Sequence, residues 1–232
     1  AQQQAWLPRI AAADAVIALA VDEAARHDPQ HIETTARAAP GGGWVLDGRK
    51  TFVVDGHVAA RLIVVARLSD GATGLFLVDP GTRGVAVERT VMVDAHNAAR
   101  VRLDGVHLPA DARMDGAADG AAALAEVLDL GRTVVAAQLL GIADEVFTRT
   151  LAYLKERRQF DRLIGEFQAL QHRMAQLYCE IELTRALLLR AQQAFDAAPS
   201  AAASLVAAAK AHACATADLA VREGVQLHGG MG

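Results

Sequence analysis

Two short stretches of the sequence combine residue types that could hold a phosphate-containing ligand. In the first, ERRQF, Arg157 is followed closely by Gln159 and Phe160 at the end of a predicted helix. A guanidinium group matches phosphate oxygens through two parallel hydrogen bonds, and an aromatic ring can cover the apolar part of a bound dinucleotide. The same residues also fit a solvated helix end, where cations complement the helix dipole, with one core phenylalanine beside it. The stretch by itself leaves both interpretations open.

The second stretch, VQLHGGMG, offers exposed backbone in place of charge. Gly229 and Gly230 can adopt positive φ angles and let a ligand approach main-chain groups that a side chain would cover. Glycine is also the usual residue just after the end of a helix, so an ordinary helix C-cap is the competing interpretation. We expect the adjacent His228 to pack or to form hydrogen bonds, and we do not assign it a catalytic role.

The hydrophobic periodicity changes once along the chain, and this change predicts the elements that carry the two stretches. From about residue 43 to residue 109 the pattern is typical of short strands, and Asp47-Gly48 predicts a hairpin turn between two strands within WVLDGRKTFVV. The predicted strand regions are WVLDGRKTFVV, RLIVVARL, TGLFLVD and ARVRLDGVHL. We expect these strands to form a small β-barrel or sandwich domain.

From about residue 117 onward, alanine and leucine dominate and apolar residues recur at helical spacing. One apolar stripe with a single polar member, Thr184, predicts a helix face in a bundle; it comprises Leu170, Met174, Leu177, Ile181 and Leu188. Pro199 or Ser200 suits the start of a further helix. The predicted fold is therefore α+β, with a β-domain at residues 1–115 followed by an incomplete antiparallel four-helix-bundle-type domain at residues 116–232.

The composition argues against several classes of protein. The chain has 232 residues, 53% of them apolar, and a net charge of −4, so it has enough apolar content for a core and no broad basic field for nucleic acid or an anionic membrane. No apolar run approaches the ~20 residues that span a bilayer, and no leader is visible. We therefore expect a globular cytoplasmic protein, and the first residue, Ala1, suggests a piece of a longer chain. Cys179 and Cys214 lack metal-ligand spacing and are predicted to be buried free thiols.

The sequence resembles the acyl-CoA dehydrogenase family over nearly its whole length. The resemblance is carried by four stretches in matching order, GGGWVLDGRKTF, LDLGRTVVAAQLLGIA, YLKERRQFDRLIGEFQALQHRMA and VQLHGGMG. It covers the family's middle β-domain and most of its C-terminal helical domain. It implies FAD as the cofactor and the α,β-dehydrogenation of an acyl-CoA thioester, with proton abstraction at Cα and hydride transfer from Cβ to flavin N5. It also implies fatty acid β-oxidation as the setting and an electron-accepting flavoprotein as a partner.

The resemblance assigns roles to the residues of both stretches. In this family the helix end that matches ERRQF crosses the subunit interface to the FAD of the neighbouring subunit, which implies a homodimer or homotetramer. By this resemblance Arg157 would contact the flavin pyrophosphate, Gln159 would bond near it, and Phe160 would pack against the cofactor. The other positions that match cofactor-facing residues of the family are Phe52, Val54, Phe167, Gln168, Gln226, Gly229 and Gly230.

The resemblance also places a substrate site in LDLGR, at residues 128–132. Asp129 would contact the pantetheine arm of the thioester, and Arg132 would lie near the acyl-CoA. An exposed ion pair between the two is the alternative, and such a pair contributes little to stability. The catalytic glutamate of the family lies either beyond Gly232 or at the position of Gly131, and glycine cannot abstract a proton. We therefore nominate no catalytic base.

Several positions depart from the family pattern on the β-domain side. Val21 and Val54 stand where hydroxyl-bearing residues contact the flavin in the family, His27 replaces a serine, and Arg26 replaces a glycine. These departures leave three functions open. They are an active flavoenzyme, a non-catalytic subunit that completes the FAD site of a catalytic paralogue in a hetero-oligomer, and a flavin oxidase or monooxygenase on the same fold.

Overall fold

Apart from one short hairpin, strands occupy the first half of the chain and long helices the second. The structure, a computed structural model, describes residues 2–94, 96–114 and 119–232. The chain divides into two compact units, Ala1–Leu124 and Ala125–Gly232. The predicted boundary between residues 115 and 116 lies outside the described residues. The predicted α+β fold class is confirmed.

The N-terminal unit is built on one sheet that follows helix α1 (Gln2–Ala11). The strands within the described residues are β1 Ile17–Ala20, β2 Thr35–Ala38, β3 Trp44–Val54, β4 Arg61–Leu68, β5 Thr73–Val78, β6 Val85–Val91 and β7 Asn97–Leu108. Their order is β1-β4-β2-β3-β7-β6, with β5 also paired to β4. The pairs β1–β4 and β2–β4 are parallel, and the other pairs are antiparallel. The core residues Leu46, Val64, Phe76 and Val106 are completely buried on this sheet.

The hairpin predicted at Asp47-Gly48 is wrong, because β3 runs through both residues without turning. The pairing of β3 with β7 instead shifts register between Leu46 and Gly48, which marks an irregularity of the β-bulge type. The Asp47 carboxylate accepts a hydrogen bond from the Gly105 amide at 2.7 Å. A Cβ atom on Gly48 would lie 2.5 Å from Thr34 Oγ1. The glycine is therefore required by the close approach of a neighbouring segment and not by a turn.

Three long helices account for most of the described C-terminal unit: α2 (Gly120–Glu156), α3 (Gln168–Ala197) and α4 (Pro199–His228). Two contacts along each helix pair show that α3 runs antiparallel to both neighbours. Towards α2, Arg185 reaches Asp144 at 2.8 Å, and the earlier Tyr178 meets the later Phe147 at 5.8 Å between ring centroids. Towards α4, Arg173 reaches Glu223 at 2.6 Å, and the later Thr184 reaches the earlier Thr216 at 2.8 Å. The antiparallel arrangement agrees with the prediction. Pro199 begins α4, as its fixed φ angle favours.

The predicted apolar stripe of α3 is buried except for Leu170, which is half-buried. Its polar member, Thr184, is completely buried, and its hydroxyl group is hydrogen-bonded inside the bundle. Thr184 Oγ1 lies 2.7 Å from the Glu180 carbonyl oxygen and 2.8 Å from both His212 Nδ1 and Thr216 Oγ1. A small polar cluster therefore replaces apolar packing at this level of the bundle.

The prediction of buried cysteines is wrong, although both thiols are free. Cys179 is exposed and Cys214 is half-buried. Each lies beside the packed face of its helix and not on it, because Leu177 and Ile181 are the buried positions around Cys179, and Ala213 is the buried neighbour of Cys214. Among the described residues, no helix combines the length and the apolar character that crossing a bilayer requires.

Candidate functional site

The end of α2, the start of α3 and the end of α4 enclose a groove of about 290 Å³ in the C-terminal unit. The groove unites the two stretches that the sequence singled out, although about seventy residues separate them. Five predicted site residues line it: Arg157, Gln159, Gln226, Gly229 and Gly230. These five residues present one guanidinium group, two side-chain amides and a glycine backbone to a single space.

A tight hairpin after α2 positions the first stretch. Strand β8 (Arg158–Gln159) pairs with β9 (Arg162–Leu163), and the two residues between them, Phe160 and Asp161, have φ angles of 54° and 60°. Positive φ at both central residues is the signature of a type I′ turn, the hairpin connection that matches strand twist. The turn leaves the Phe160 side chain 85% exposed. An aromatic ring held so far out of the bundle is available to a ligand or to a second chain.

The two candidate residues after this hairpin lie where α3 begins. A short 3-10 helix (Ile164–Glu166) leads to Phe167, the N-cap residue of α3, and Gln168 is the first residue of the helix. The Phe167 ring is half-buried and meets the Phe160 ring edge-on at 6.1 Å between centroids. Gln168 is exposed. The two phenylalanines thus form one aromatic patch beside the groove.

The glycines at the end of α4 serve two purposes at once. Gly229 has a φ angle of 62° and its amide caps the helix by bonding to the Gln226 carbonyl oxygen, as the C-cap interpretation requires. A Cβ atom added at Gly229 or Gly230 would meet nothing within 4 Å. Because both glycines line the groove, added side chains would occupy space that is now open. The helix cap and the open backbone are therefore compatible.

The charges in the groove are unequally compensated. Arg173, which the sequence reasoning missed, lines the groove but is bonded to Glu223 with Nε and Oε2 2.6 Å apart. Arg157 forms no ion pair with a carboxylate in the part of the chain that the structure describes. An anion that enters the groove would therefore meet the full charge of Arg157 and only part of that of Arg173.

The sequence reasoning also missed Tyr153 as a groove residue, and it assigned His228 to packing or hydrogen bonding only. The structure supports that assignment, because the His228 ring stacks on Tyr153 at 4.4 Å between centroids and its Nδ1 lies 2.8 Å from the Gly224 carbonyl oxygen. Both residues also line the groove. Tyr153 could have been found from spacing, since it lies one helical turn before Arg157 and shares its face.

The two candidate substrate residues bond to each other on α2. Arg132 Nη1 donates to Asp129 Oδ1 at 2.5 Å, and Thr133 Oγ1 donates to the Asp129 carbonyl oxygen at 2.9 Å. The alternative of an exposed pair fits only in part, because Asp129 is 7% exposed. Gly131 is exposed, and a Cβ atom there would meet nothing within 4 Å.

The candidate residues of the N-terminal unit lie at the end of β3. Phe52 and Val54 are 48% and 53% exposed, whereas Val53 between them is buried. Phe52 has a φ angle of 50°, at a register shift of β3 against β7. The end of β3 therefore points the apolar side chains on either side of Val53 outward, as a surface for an apolar partner or ligand requires.

A buried ion pair anchors the segment that contains Val21. Lys50 is completely buried, and its Nζ donates to Glu23 Oε1 at 2.7 Å and to the Val21 carbonyl oxygen at 3.0 Å. Burial lowers the pKa of Lys50, and the Glu23 carboxylate opposes this shift. Burial raises the pKa of Glu23, but hydrogen bonds from Lys50 and Thr34 outweigh it, so this pKa lies below its ordinary value. The pair has a structural role, because all its partners belong to the fold.

Comparison with known proteins identifies the family to which this chain and its fold belong. The family model described as "Acyl-CoA dehydrogenase, middle domain" matches residues 18–106, and that described as "Acyl-CoA dehydrogenase, C-terminal domain" matches residues 118–232. The chain therefore belongs to the acyl-CoA dehydrogenase family, which confirms the resemblance carried by its motifs.

Individual relatives agree with this assignment. Acyl-CoA dehydrogenase FadE12 of Mycobacterium tuberculosis is 32% identical over 241 residues, which cover 100% of this chain and 62% of that protein. A glutaryl-CoA dehydrogenase from Mycobacterium smegmatis, solved in complex with FADH2, is 27% identical with a TM-score of 0.90, over 99% of this chain and 60% of that one. The ChsE4-ChsE5 complex from Mycobacterium tuberculosis gives 30% identity and a TM-score of 0.83, over 99% and 60%. The chain thus spans less than two thirds of the length of these relatives.

Proposed function

We propose that the protein containing this chain is an FAD-dependent acyl-CoA dehydrogenase that removes a proton from Cα and a hydride from Cβ of an acyl-CoA thioester. Family membership supports this activity, and the groove that unites Arg157 with Gly229 and Gly230 carries it. When bound, the flavin supplies the hydride acceptor at N5. We expect an electron-accepting flavoprotein to reoxidise the protein after each turnover.

The groove fits the diphosphate of FAD in charge and in shape. Arg157 brings a guanidinium group without a carboxylate partner among the described residues, and Gln159 and Gln226 bring side-chain amides that donate hydrogen bonds. The open space beside Gly229 and Gly230 lets phosphate oxygens approach the main chain. These groups bind and orient the anionic part of the cofactor.

The remaining candidate residues exclude water from the cofactor or hold the substrate. The aromatic patch of Phe160 and Phe167, with Gln168 beside it, covers the apolar part of an FAD held by a second protomer, which makes the assembly a dimer or tetramer. Phe52 and Val54 offer an apolar surface to the flavin of their own protomer. Asp129 and Arg132 hold the acyl-CoA through their joint polar surface.

Replacing Arg157 tests the placement of FAD. We expect Arg157→Ala to weaken FAD retention by one to two orders of magnitude, because about 1.5–3 kcal/mol is typical for a hydrogen bond to a charged group. The measurement is the ratio of flavin absorbance to protein in the purified full-length protein, followed by titration of the apoprotein with FAD. Arg158→Ala is the matched control, since Arg158 is exposed in the same hairpin and does not line the groove. Equal flavin content in both variants would contradict the placement.

Bleaching of the flavin tests the activity. Under anaerobic conditions, addition of a saturated acyl-CoA to the FAD-loaded full-length protein should abolish the flavin absorbance bands and yield the enoyl-CoA product. Protein that cannot be loaded with FAD, or loaded protein that keeps its absorbance with every acyl-CoA chain length, would argue against catalysis by this protein alone.

A second candidate function is a non-catalytic subunit that completes the FAD site of a catalytic paralogue. It is favoured by Val54, whose exposed side chain lacks a hydroxyl group, and by Gly131, which offers no carboxylate from its open position on α2. The ChsE4-ChsE5 structure is, by its description, a complex of two differently named proteins. Co-expression with each paralogue of the source organism, followed by size-exclusion chromatography and flavin analysis, distinguishes the candidates. Flavin that bleaches with the protein alone would exclude the non-catalytic subunit.

A further inference from the structure

The two ring nitrogens of His228 differ in their hydrogen bonds to the described residues. Its Nδ1 lies 2.8 Å from the carbonyl oxygen of Gly224. Because a carbonyl oxygen only accepts hydrogen bonds, Nδ1 of the neutral imidazole carries the proton and Nε2 keeps a free lone pair. Within the residues that the structure describes, no hydrogen bond engages Nε2. The neutral ring is therefore a hydrogen-bond acceptor at Nε2.

The orientation of this ring is fixed by its neighbours. Tyr153 stacks on it with an angle of 25° between the ring planes, and the Tyr153 hydroxyl lies 3.4 Å from the His228 carbonyl oxygen. The charged residues that line the spaces around the ring are all arginines. Arg149 is paired with Glu145 and Arg173 with Glu223, whereas Arg157 forms no ion pair with a carboxylate among the described residues. His228 thus offers an oriented acceptor in the same groove as the cationic donor Arg157.

The other polar groups of the groove suit the diphosphate of a dinucleotide, whereas His228 suits one of its sugars. The guanidinium group of Arg157 and the backbone amides are donors, which match phosphate oxygens. Sugar hydroxyl groups, which lie beside the diphosphate in any dinucleotide, can donate and therefore suit an acceptor. We propose that Nε2 of His228 accepts a hydrogen bond from a ribose hydroxyl of the ADP half of the dinucleotide whose diphosphate lies against Arg157. The proposal rests on the proposed function, since it takes the groove as the diphosphate site.

Calorimetric titration of the full-length apoprotein with ADP and with inorganic pyrophosphate tests this role. His228→Phe keeps an aromatic ring for stacking on Tyr153 and removes both ring nitrogens. We expect it to weaken ADP binding roughly five- to tenfold, as typical for one lost hydrogen bond, and to change pyrophosphate binding by less than about twofold. His172→Phe is the matched control, because His172 is exposed on α3 and does not line the groove.

Deoxy analogues of ADP give a test that does not depend on a variant. Wild-type protein should bind either 2′-deoxy-ADP or 3′-deoxy-ADP more weakly than ADP by the same factor, and His228→Phe should no longer distinguish that analogue from ADP. Equal affinity of the wild-type protein for ADP and both analogues would overturn the proposal, as would equal weakening of ADP and pyrophosphate by His228→Phe. If neither probe binds, or if Arg157→Ala weakens neither, the diphosphate site itself is wrong, so the two failures are distinguishable.

Discussion

At the scale of single residues, charge compensation separates groups that hold the fold from groups available to a ligand. Lys50, Arg173 and Arg185 each lie within hydrogen-bond distance of a carboxylate. Arg157 has no such partner among the described residues and lies in a groove with open glycine backbone. A cation that is exposed to an open groove and lacks a structural partner is the kind of group that binds an anion.

The Glu23–Lys50 pair leads to a prediction about stability. Glu23→Gln should lower the free energy of unfolding by about 3–5 kcal/mol at neutral pH, because it leaves the completely buried Lys50 ammonium without its counter-charge. Urea unfolding followed by circular dichroism measures the change. Glu145→Gln is the control, since Glu145 forms an exposed pair with Arg149 on one helix, and its loss should cost less than about 1 kcal/mol.

The same pair predicts how stability depends on pH. The pKa of Glu23 is lower in the folded protein than its ordinary value of 4.5, so the unfolded chain binds this proton more tightly. The stabilisation is complete above pH 4.5 and is lost as pH falls through the folded pKa. Urea midpoints of the wild-type protein should therefore fall on acidification more steeply than those of Glu23→Gln. Parallel midpoint curves would contradict the contribution of this carboxylate.

The sequence revealed Arg157 and Gln226 through local motifs, but not the partners that define their surroundings. Glu23 and Lys50 are 27 residues apart, and Arg173 and Glu223 are 50 residues apart. Neither separation matches the spacing of neighbours on one helix or across one tight hairpin. Only the folded chain therefore shows which charges are compensated. The compensation of Arg173, and hence the prominence of Arg157 in the groove, could not be predicted from sequence.

At the scale of structural elements, the hairpin after α2 holds two non-glycine residues at positive φ. Such a conformation costs roughly 1 kcal/mol or more for a residue with a Cβ atom, and type I′ turns favour glycine. We expect Asp161→Gly to raise the melting temperature slightly or leave it unchanged, whereas Asp161→Val should lower it, because β-branched residues tolerate positive φ least. Differential scanning calorimetry of the two variants measures the effect. A lower melting temperature for Asp161→Gly than for Asp161→Val would contradict the turn geometry.

Helices and strands were easier to predict than the structural role of a single dipeptide within one of them. The apolar stripe of α3 and the start of α4 at Pro199 follow from local periodicity and from proline geometry. Asp47-Gly48 predicts a turn but lies at a bulge, because the same dipeptide also suits a position where another segment, here around Thr34, packs too closely for a side chain. Close packing of this kind involves segments that are distant in sequence, so it produces no periodic pattern in the sequence.

At the scale of the whole molecule, ligand binding should appear as a change in stability. A ligand that binds only the folded state adds about 2.7 kcal/mol at one hundred times its dissociation constant. FAD should therefore raise the melting temperature of the wild-type apoprotein by several degrees and that of Arg157→Ala by less at the same concentration, because the variant has a larger dissociation constant. Thermal scanning over a range of FAD concentrations measures both shifts, with Arg158→Ala expected to follow the wild-type protein.

The same scan separates the two proposed functions, because they differ in which chains complete the FAD site. If copies of this protein complete one another's sites, FAD raises the melting temperature of the protein alone, and the increase grows with protein concentration through assembly. A non-catalytic subunit, whose Val54 surface lacks a hydroxyl group for its own flavin, gains no stability from FAD until the catalytic paralogue is added. Stabilisation of the isolated wild-type protein by FAD, with a smaller increase for Arg157→Ala, would therefore decide for the self-sufficient enzyme.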